Sequence, residues 1–331
     1  MSYLLELIIF LIVLFLYIHI NYHTSTSNDP EVYEYNDTSK DQLEDICNLK
    51  QPVIINRNIL DINLNKLPLN EIYKEYDLSI RDVHEEEMEK IIYLPLNYSK
   101  ATTLFEKDTN SQYYSEKNEN FIKDTGLIKI FQNKDKFFRP PLTSNSFYDI
   151  LLGSNSSCTP LRYDINYRNY IYVSSGSCNI KLIAPDKKDS LYPIMDYVNF
   201  EFRSSINPWN VQEEFMSEFK RIKTIDITLS EGQTLFIPAY WFSSIKFNTN
   251  TRLINLRYRN YFNIVSILPY LGMHYLQIQN IKKEQYKKLS FAEEEKAIEP
   301  EPEPESEPVP EPIGVTESQN VEMDIIDIKM V

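Results

Sequence analysis

The chain has 331 residues, of which 42% are apolar, enough for a sizeable core in one large domain or two small ones. Its net charge of −14 is uneven: residues 293–331 hold 13 acidic and 2 basic residues, a net of −11, which leaves −3 for the remainder. No basic face therefore points to nucleic acid. Cys47, Cys158 and Cys178 lack CxxC spacing, which argues against a disulfide framework or a zinc site, and we expect reduced, mostly buried thiols.

The chain begins with an almost wholly apolar run, residues 3–20, interrupted by Glu6 and His19. Its length matches the roughly 18–20 apolar residues that cross a bilayer as a helix. No basic residue precedes the run and no A-x-A cleavage pattern follows it, so we predict a single-pass membrane anchor. A signal peptide or a buried helix are the alternatives. Neither flank carries Lys or Arg close by, so the side of the membrane stays open.

Three N-x-S/T sequons, at Asn36, Asn97 and Asn155, would be glycosylation acceptors if the domain faced a lumen. In a chain so rich in Asn such triplets also arise by chance, so they carry little weight.

A folded domain is predicted over residues 41–290, after a polar tether at 21–40. It opens with a helix from Asp41 to Leu49, apolar at positions 43, 46 and 49, and a polar, irregular stretch at 100–120 suggests a loop or insertion. Apolar and alternating runs predict strands at Pro52–Ile55, Tyr76–Val83, Ile91–Leu96, Tyr170–Val173, Asn179–Ala184, Thr224–Leu229, Leu235–Ile237 and Arg252–Tyr258, with a short segment at Phe147–Leu152. Many short strands with little central helix favour a sandwich or barrel.

The C-terminal part contains helical spacing from Ile264 to Ile281, broken by Pro269, which predicts a kinked helix or a helix pair. Residues 291–331 include a Glu/Pro tract that cannot bury apolar surface, so we predict a disordered acidic tail. Its more apolar end, 323–331, is a candidate docking peptide.

Two segments about seventy residues apart carry a resemblance: Thr159-Pro160-Leu161-Arg162-Tyr163-Asp164, and Gly232 to Ser243, which reads GQTLFIPAYWFS. They resemble the metal-bearing strands of the JmjC-type, cupin-like oxygenases, whose patterns are T-P-x-H-x-D and G-D-x-L-x-I-P-x-x-W-x-H. The resemblance implies a mainly β double-stranded β-helix, or jelly roll, with flanking helices. It covers about residues 41–285.

The metal ligands of that family are not retained. Arg162 and Ser243 stand where the resemblance places the two histidines, and of the three positions only Asp164 keeps a ligand. A guanidinium has no lone pair to offer and stays charged, so the metal site is vestigial and we predict no bound iron. Residues i and i+2 of a strand share a face, so Arg162 is expected to point into the barrel with Asp164 and to pair with it, with Ser243 as a further candidate partner.

The four histidines offer little replacement. His19 and His23 lie in or beside the anchor, His84 lies in a polar turn and His274 lies in the C-terminal helical stretch.

The resemblance also implies a 2-oxoglutarate pocket, for which the family uses a Lys two residues after a conserved Gly. Here Cys178 holds that position after Gly176, and strand alternation puts Lys181 on the opposite face. The positions that align with the family's co-substrate pocket, together with one Arg on the same face that could bind an anion, are Thr159, Asn169, Asn255 and Arg257.

Three functions remain open. The first is a catalytically inactive, membrane-anchored binding or scaffold module, without cofactor, for an unknown protein partner or small ligand. The second is an active Fe(II)/2-oxoglutarate hydroxylase with an unusual metal site. The third is a metal-free pocket for an anionic metabolite, using Arg162 and Arg257. The C-terminal helices are also a candidate homodimer interface, with packing on their own domain as the alternative.

Overall fold

Helices occur at both ends of the described part of the chain and between its strands. The computed structural model describes residues 2–64, 73–83 and 91–280. The helices within them are α1 Ser2–Thr24, α2 Lys40–Asn48, α3 Tyr98–Lys107, α4 Glu119–Asp124, α5 Leu127–Lys134, α6 Met216–Phe219, α7 Tyr261–Ser266 and α8, the helical run 268–280. Helix α2 matches the predicted one and starts at a reciprocal cap, in which Ser39 and Gln42 each accept the other's backbone N–H.

The strands build two sheets. They are β1 Tyr33–Tyr35, β2 Val53–Ile55, β3 Asp77–Asp82, β4 Leu94–Asn97, β5 Tyr113–Ser115, β6 Thr143–Gly153, β7 Arg162–Tyr163, β8 Arg168–Ser175, β9 Ser177–Ile183, β10 Pro193–Asp196, β11 Glu201–Ser204, β12 Thr224–Ser230, β13 Thr234–Ile237, β14 Phe242–Phe247 and β15 Arg252–Asn260. The larger sheet has the order β1-β2-β13-β8-β15-β6-β5-β3-β4, and the smaller has β10-β11-β7-β14-β9-β12. The mainly β architecture with flanking helices is therefore as predicted.

Alternation along the strands separates two cores. Tyr170 and Tyr172 of β8 join a cluster with α2, α3 and α5 on the outer face of the larger sheet. Ile171 and Val173 of the same strand join a second cluster with residues of β9, β12 and β14, between the sheets. Because successive side chains of a strand point to opposite faces, one strand serves both layers. The inner layer is open at one end, where the candidate site lies.

The structure of residues 100–120 differs from the prediction. They were predicted as a loop or insertion, but most of α3, all of β5 and the start of α4 lie there. Ala101 and Phe105 of α3 are buried, and Tyr114 of β5 is wholly buried, so apolar residues of this polar stretch contribute to the core. The segment also supplies Glu116, directly after β5.

Residues 21–40 also lie against the domain over much of their length. Strand β1 pairs in parallel with β2, from Tyr33 with Val53 onwards. The Trp241 indole donates a 3.0 Å hydrogen bond to the Ser27 carbonyl. A tether in the sense of a loose linker is therefore not what the structure contains here.

The C-terminal expectations are met in part. Helices α7 and α8 are the predicted helix pair, although it breaks at Ile267 and starts at Tyr261. The acidic tail at 291–331, with its apolar end, and His84 lie outside the described residues.

Helix α1 is long and apolar enough to cross a membrane, a test that a signal sequence near an N-terminus would also pass. Its apolar side chains are exposed to the surroundings, as Phe10 is at 61%. The second half of α1 contacts the domain. Near its end, Tyr22 donates a hydrogen bond to Asn48, and His23 is buried against Tyr167.

The tight turn between β8 and β9 gives a stability prediction. Gly176 has φ +75°, and a Cβ there would lie 2.9 Å from the Asn250 carbonyl oxygen. Gly126 has φ +73°, but a Cβ there would meet nothing within 4 Å. We expect Gly126→Ala to cost about 1–2 kcal/mol for the left-handed backbone alone, and Gly176→Ala to cost about 1–3 kcal/mol more for the backbone contact. Urea unfolding of the two variants measures the difference; equal losses would contradict the steric argument.

Candidate functional site

The three vestigial metal positions come together at one cavity. Strand β7 pairs with β14 in a register that sets Arg162 opposite Ser243, and Asp164 follows β7 directly. All three residues line a cavity of about 540 Å³ between the sheets. The two sequence motifs thus meet as their resemblance implies.

The predicted co-substrate positions line the same cavity from the larger sheet. Arg257 of β15 lies opposite Asn169 of β8, and Asn255 lies opposite Asp149 of β6. Thr159 contributes from the segment before β7. Its hydroxyl accepts a hydrogen bond from the Ile245 backbone N–H at 2.9 Å, so it helps to hold β14.

Arg162 pairs with Glu116 and not with Asp164. Its guanidinium is forked onto the Glu116 carboxylate, with Nη1 3.0 Å from Oε1 and Nη2 on Oε2. Glu201 lies 3.7 Å from Nη1. The expected Arg162–Asp164 pair is therefore wrong.

Local turn chemistry explains why Asp164 is not the partner. Strand β7 ends at Tyr163, and the Asp164 carboxylate accepts the Asn166 backbone N–H at 2.9 Å. Asp side chains commonly fold back in this way on the backbone two residues ahead. The nearest guanidinium to Asp164 is that of Arg257, at 3.8 Å.

Arg162 belongs to a buried ionic network. Arg81, which is 1% exposed, donates to Glu116 at 3.1 Å and to Glu201 at 3.0 Å. The side chains of Glu116 and Glu201 are 2% and 3% exposed, and Tyr93 donates to Glu116 at 3.0 Å. Each carboxylate thus has a guanidinium partner, as a buried charge requires.

The charges of the network fix its protonation. Burial by itself would raise the pKa of Glu116, but Arg162 and Arg81 outweigh it and hold that pKa well below its usual range. The same carboxylates, against the opposing effect of burial, raise the pKa of Arg162 well above its ordinary value. Arg162 is therefore a permanent cation, fixed in place by an anion that the sequence did not single out.

The residues present do not fit an Fe(II) centre. Within residues 2–64, 73–83 and 91–280, no group of three or more His, Cys, Asp or Glu side chains is placed to hold a metal ion. His274 does line the cavity, but its Nδ1 lies 2.5 Å from the Tyr197 carbonyl oxygen. The ligand position in the first motif is filled by a guanidinium, which would repel a cation.

The fit to 2-oxoglutarate is also poor. Cys178, at the position of the family's lysine, is fully buried in the core between the sheets. Lys181 is bound to Asp226 at 2.7 Å, away from the cavity. The Asn169 amide N–H groups face the carbonyls of Asn166 and Ile237, at 3.3 Å each. The polar residues at the co-substrate positions are therefore present, whereas the lysine that would bind the co-substrate carboxylate is replaced by Cys178.

Asp149 is a cavity residue that the sequence analysis missed. It is 4% exposed, and its carboxylate accepts the backbone N–H groups of Lys117 and Asn118 at 2.8 Å. Burial raises its pKa to about 6, although Arg257 and the two N–H groups oppose the rise. The one sequence signal for Asp149 is its position in the predicted short segment Phe147–Leu152, where it shares a face with Phe147 and Leu151.

The ionic network predicts which substitution matters. Arg162→Met removes the forked partner of Glu116, and we expect a loss of about 3–5 kcal/mol in unfolding free energy. Asp164→Asn, the matched control, changes a half-exposed side chain and is expected to cost less than about 1 kcal/mol. Adding Glu116→Gln to Arg162→Met should recover part of the loss. A Met variant as stable as the parent, or a larger loss from Asp164→Asn, would contradict this pairing.

Asp149 predicts a pH dependence. Because its folded pKa of about 6 lies above its unfolded value of about 3.9, its contribution to stability is fully present below about pH 4 and is lost as the pH rises through 6. Asn mimics the protonated form. The difference in unfolding free energy between the parent and Asp149→Asn should therefore shift against the parent by up to about 3 kcal/mol between pH 4 and 7. Parallel pH profiles would rule out the raised pKa.

Comparison with known proteins shows the family of the chain. The chain is 32% identical over 91 residues to the JmjC domain-containing protein D of Dictyostelium discoideum, covering 27% of this chain and 20% of the relative. It is 24% identical over 129 residues to HSPB1-associated protein 1 of Bos taurus, covering 36% and 27%. It is 28% identical over 140 residues to lysine-specific demethylase JMJ31 of Arabidopsis thaliana, covering 41% and 24%. The matched regions thus span about a fifth to a quarter of these relatives' lengths. A family model described as "Cupin-like domain" matches residues 30–264, and the chain belongs to that family.

Proposed function

We propose that this chain is a membrane-anchored cupin-like domain that has lost iron-dependent oxygenase chemistry and acts as a binding module. The observation that carries the proposal is the Arg162 guanidinium, which is locked by Glu116 at the position of a ligand histidine. Iron there would have to displace a partly buried cation that two hydrogen bonds hold on Glu116, and the energetic cost of leaving the buried Glu116 carboxylate unpaired opposes that exchange.

The proposed anchor is α1. Its apolar side chains are exposed where the helix leaves the domain, which is unfavourable in water and favourable in a bilayer. The contacts of Tyr22 and His23 with the domain support an uncleaved helix, because removing α1 would uncover the surface that they cover.

The retained cavity supports a binding role. A volume of about 540 Å³ lies within the range of small-molecule sites. Its wall combines apolar residues such as Ile171 and Ile237 with the polar groups of Asn169 and Asn255. A pocket of this kind needs no metal to hold a small ligand or a side chain of a protein partner.

Metal analysis tests the loss of oxygenase chemistry. We expect the full-length chain, purified in detergent and loaded anaerobically with Fe(II), to retain much less than one equivalent of iron and to show no 2-oxoglutarate turnover. The comparison variant is Arg162→His with Ser243→His, which restores the donor types of a two-histidine, one-carboxylate site around Asp164. We expect iron uptake to rise in that variant, with its thermal unfolding recorded as the control for folding. One equivalent of iron and turnover in the parent chain would overturn the proposal.

A second candidate function is the binding of an organic anion through Arg257. This side chain is 26% exposed at the cavity, and its Nε has no hydrogen-bond partner. Arg162, by contrast, is already neutralised by Glu116 and is no longer a candidate for this role.

A carboxylate and phosphate panel tests this candidate. We expect at least one carboxylate to raise the melting temperature of the parent by several degrees and to leave Arg257→Gln unchanged. Shifts of the same size in both proteins, or none in the parent, would count against Arg257 as an anion site.

A further inference from the structure

A second apolar surface lies next to α1. Residues 261–280, which form α7 and α8, contain no Asp, Glu, Lys or Arg. Their large exposed apolar side chains are Tyr261 at 62%, Leu268 at 54%, Met273 at 42%, Tyr275 at 63% and Leu276 at 56%. Apolar residues scattered singly over a surface need no explanation, but an uncharged helix pair with one exposed apolar side does.

The contact between α7 and α1 fixes what this surface faces. Phe262 of α7 stacks on His19, with ring centroids 4.1 Å apart, and packs edge-on against Phe15 at 5.7 Å. Both partners lie inside the apolar run that ends at Ile20. At a rise of 1.5 Å per residue, Phe15 lies about 8 Å from Ile20 along the helix axis.

That depth has a direct consequence for α7. The interfacial zone on each side of the hydrocarbon core is about 5–8 Å thick. When residues 3–20 span the hydrocarbon core, His19 lies at its edge and Phe15 about 8 Å inside it, so a group packed beside both lies at the headgroup boundary and in the outer part of the hydrocarbon. Tyr261, the exposed neighbour of Phe262, is of a residue type enriched at that boundary.

We propose that the uncharged segment 261–280 lies in the interface of the same bilayer that α1 crosses, so that the domain is seated on lipid and not merely tethered to it. This inference rests on the proposed membrane span of α1. Helix α8 then has lipid on the side of Leu268 and Leu276 and the cavity on the side of Leu271 and His274. A single helix separates the candidate ligand site from the membrane.

The test places an environment-sensitive label at four single sites of the full-length chain in phosphatidylcholine nanodiscs. The label at Phe10→Cys reports whether α1 spans the bilayer, and the labels at Tyr261→Cys and Leu276→Cys report whether residues 261–280 contact lipid. In all four variants the half-buried Cys158 is replaced by Ser, while Cys47 and Cys178 are kept because they are buried. Leu94→Cys is the control, because Leu94 is 59% exposed and lies far from the proposed membrane surface. Leu94 pairs with Ile80, Ile80 with Ser115, and Ser115 with Leu152 near the end of β6. The opposite end of β6, at Thr143, pairs with Asn260, directly before α7.

Lipids carrying a quencher at carbon 5 or carbon 12 report depth. We expect the label at position 10 to be quenched most by the deep quencher, and those at 261 and 276 by the shallow one, several-fold more than that at 94. Quenching at 10 with none at 261 and 276 would overturn the seat while the span stands. No quenching at 10 would overturn the span, and the seat with it. Labels at 261 and 276 that are shielded from aqueous iodide yet unquenched by lipid would assign this surface to a second copy of the chain and overturn the proposal.

Discussion

The arrangement of the cavity depends on keeping two buried carboxylates neutralised. Glu116 and Glu201 lie almost wholly out of water beside the position where the family holds its metal, and Arg81 and Arg162 supply the opposing charge. Because an unpaired buried carboxylate costs several kcal/mol, Arg162 cannot simply give way to another occupant. Arg162 is therefore tied to Glu116 and Glu201, and a neutral residue at this position would leave their charge less compensated.

Local pattern accounts for most of the fold. Strands β2, β8, β9, β13 and β15 were predictable because alternation and β-branched runs report burial over a few residues. The prediction of a loop at 100–120 was wrong because only a few side chains of this polar stretch, such as Phe105 and Tyr114, reach the core. Its remaining surface is solvated, so composition resembles that of a loop while the backbone is paired. Tertiary contacts decide its structure, and a short window does not contain them.

The candidate site was predictable in its positions and not in its partners. The spacing of the two motifs located Arg162, Asp164 and Ser243, because the strand register is set locally by hydrophobic alternation. The partner of Arg162 lies 46 residues away in sequence, and no local signal marks it. Asp164, the expected partner, is held by a turn with Asn166, since a hydrogen bond two residues ahead forms at small entropic cost compared with a long-range ion pair.

Helix α8 lies between the cavity and the exposed apolar surface of residues 261–280. Leu271 and His274 close one side of the cavity, while Leu268, Tyr275 and Leu276 of the same helix point away from the domain. In a packed protein a helix cannot move on one face without moving on the other. Displacing this helix at its outer face would change the shape of the cavity through Leu271 and His274. A ligand in the cavity and a contact at the outer face would therefore be coupled through α8, and such coupling would require no metal.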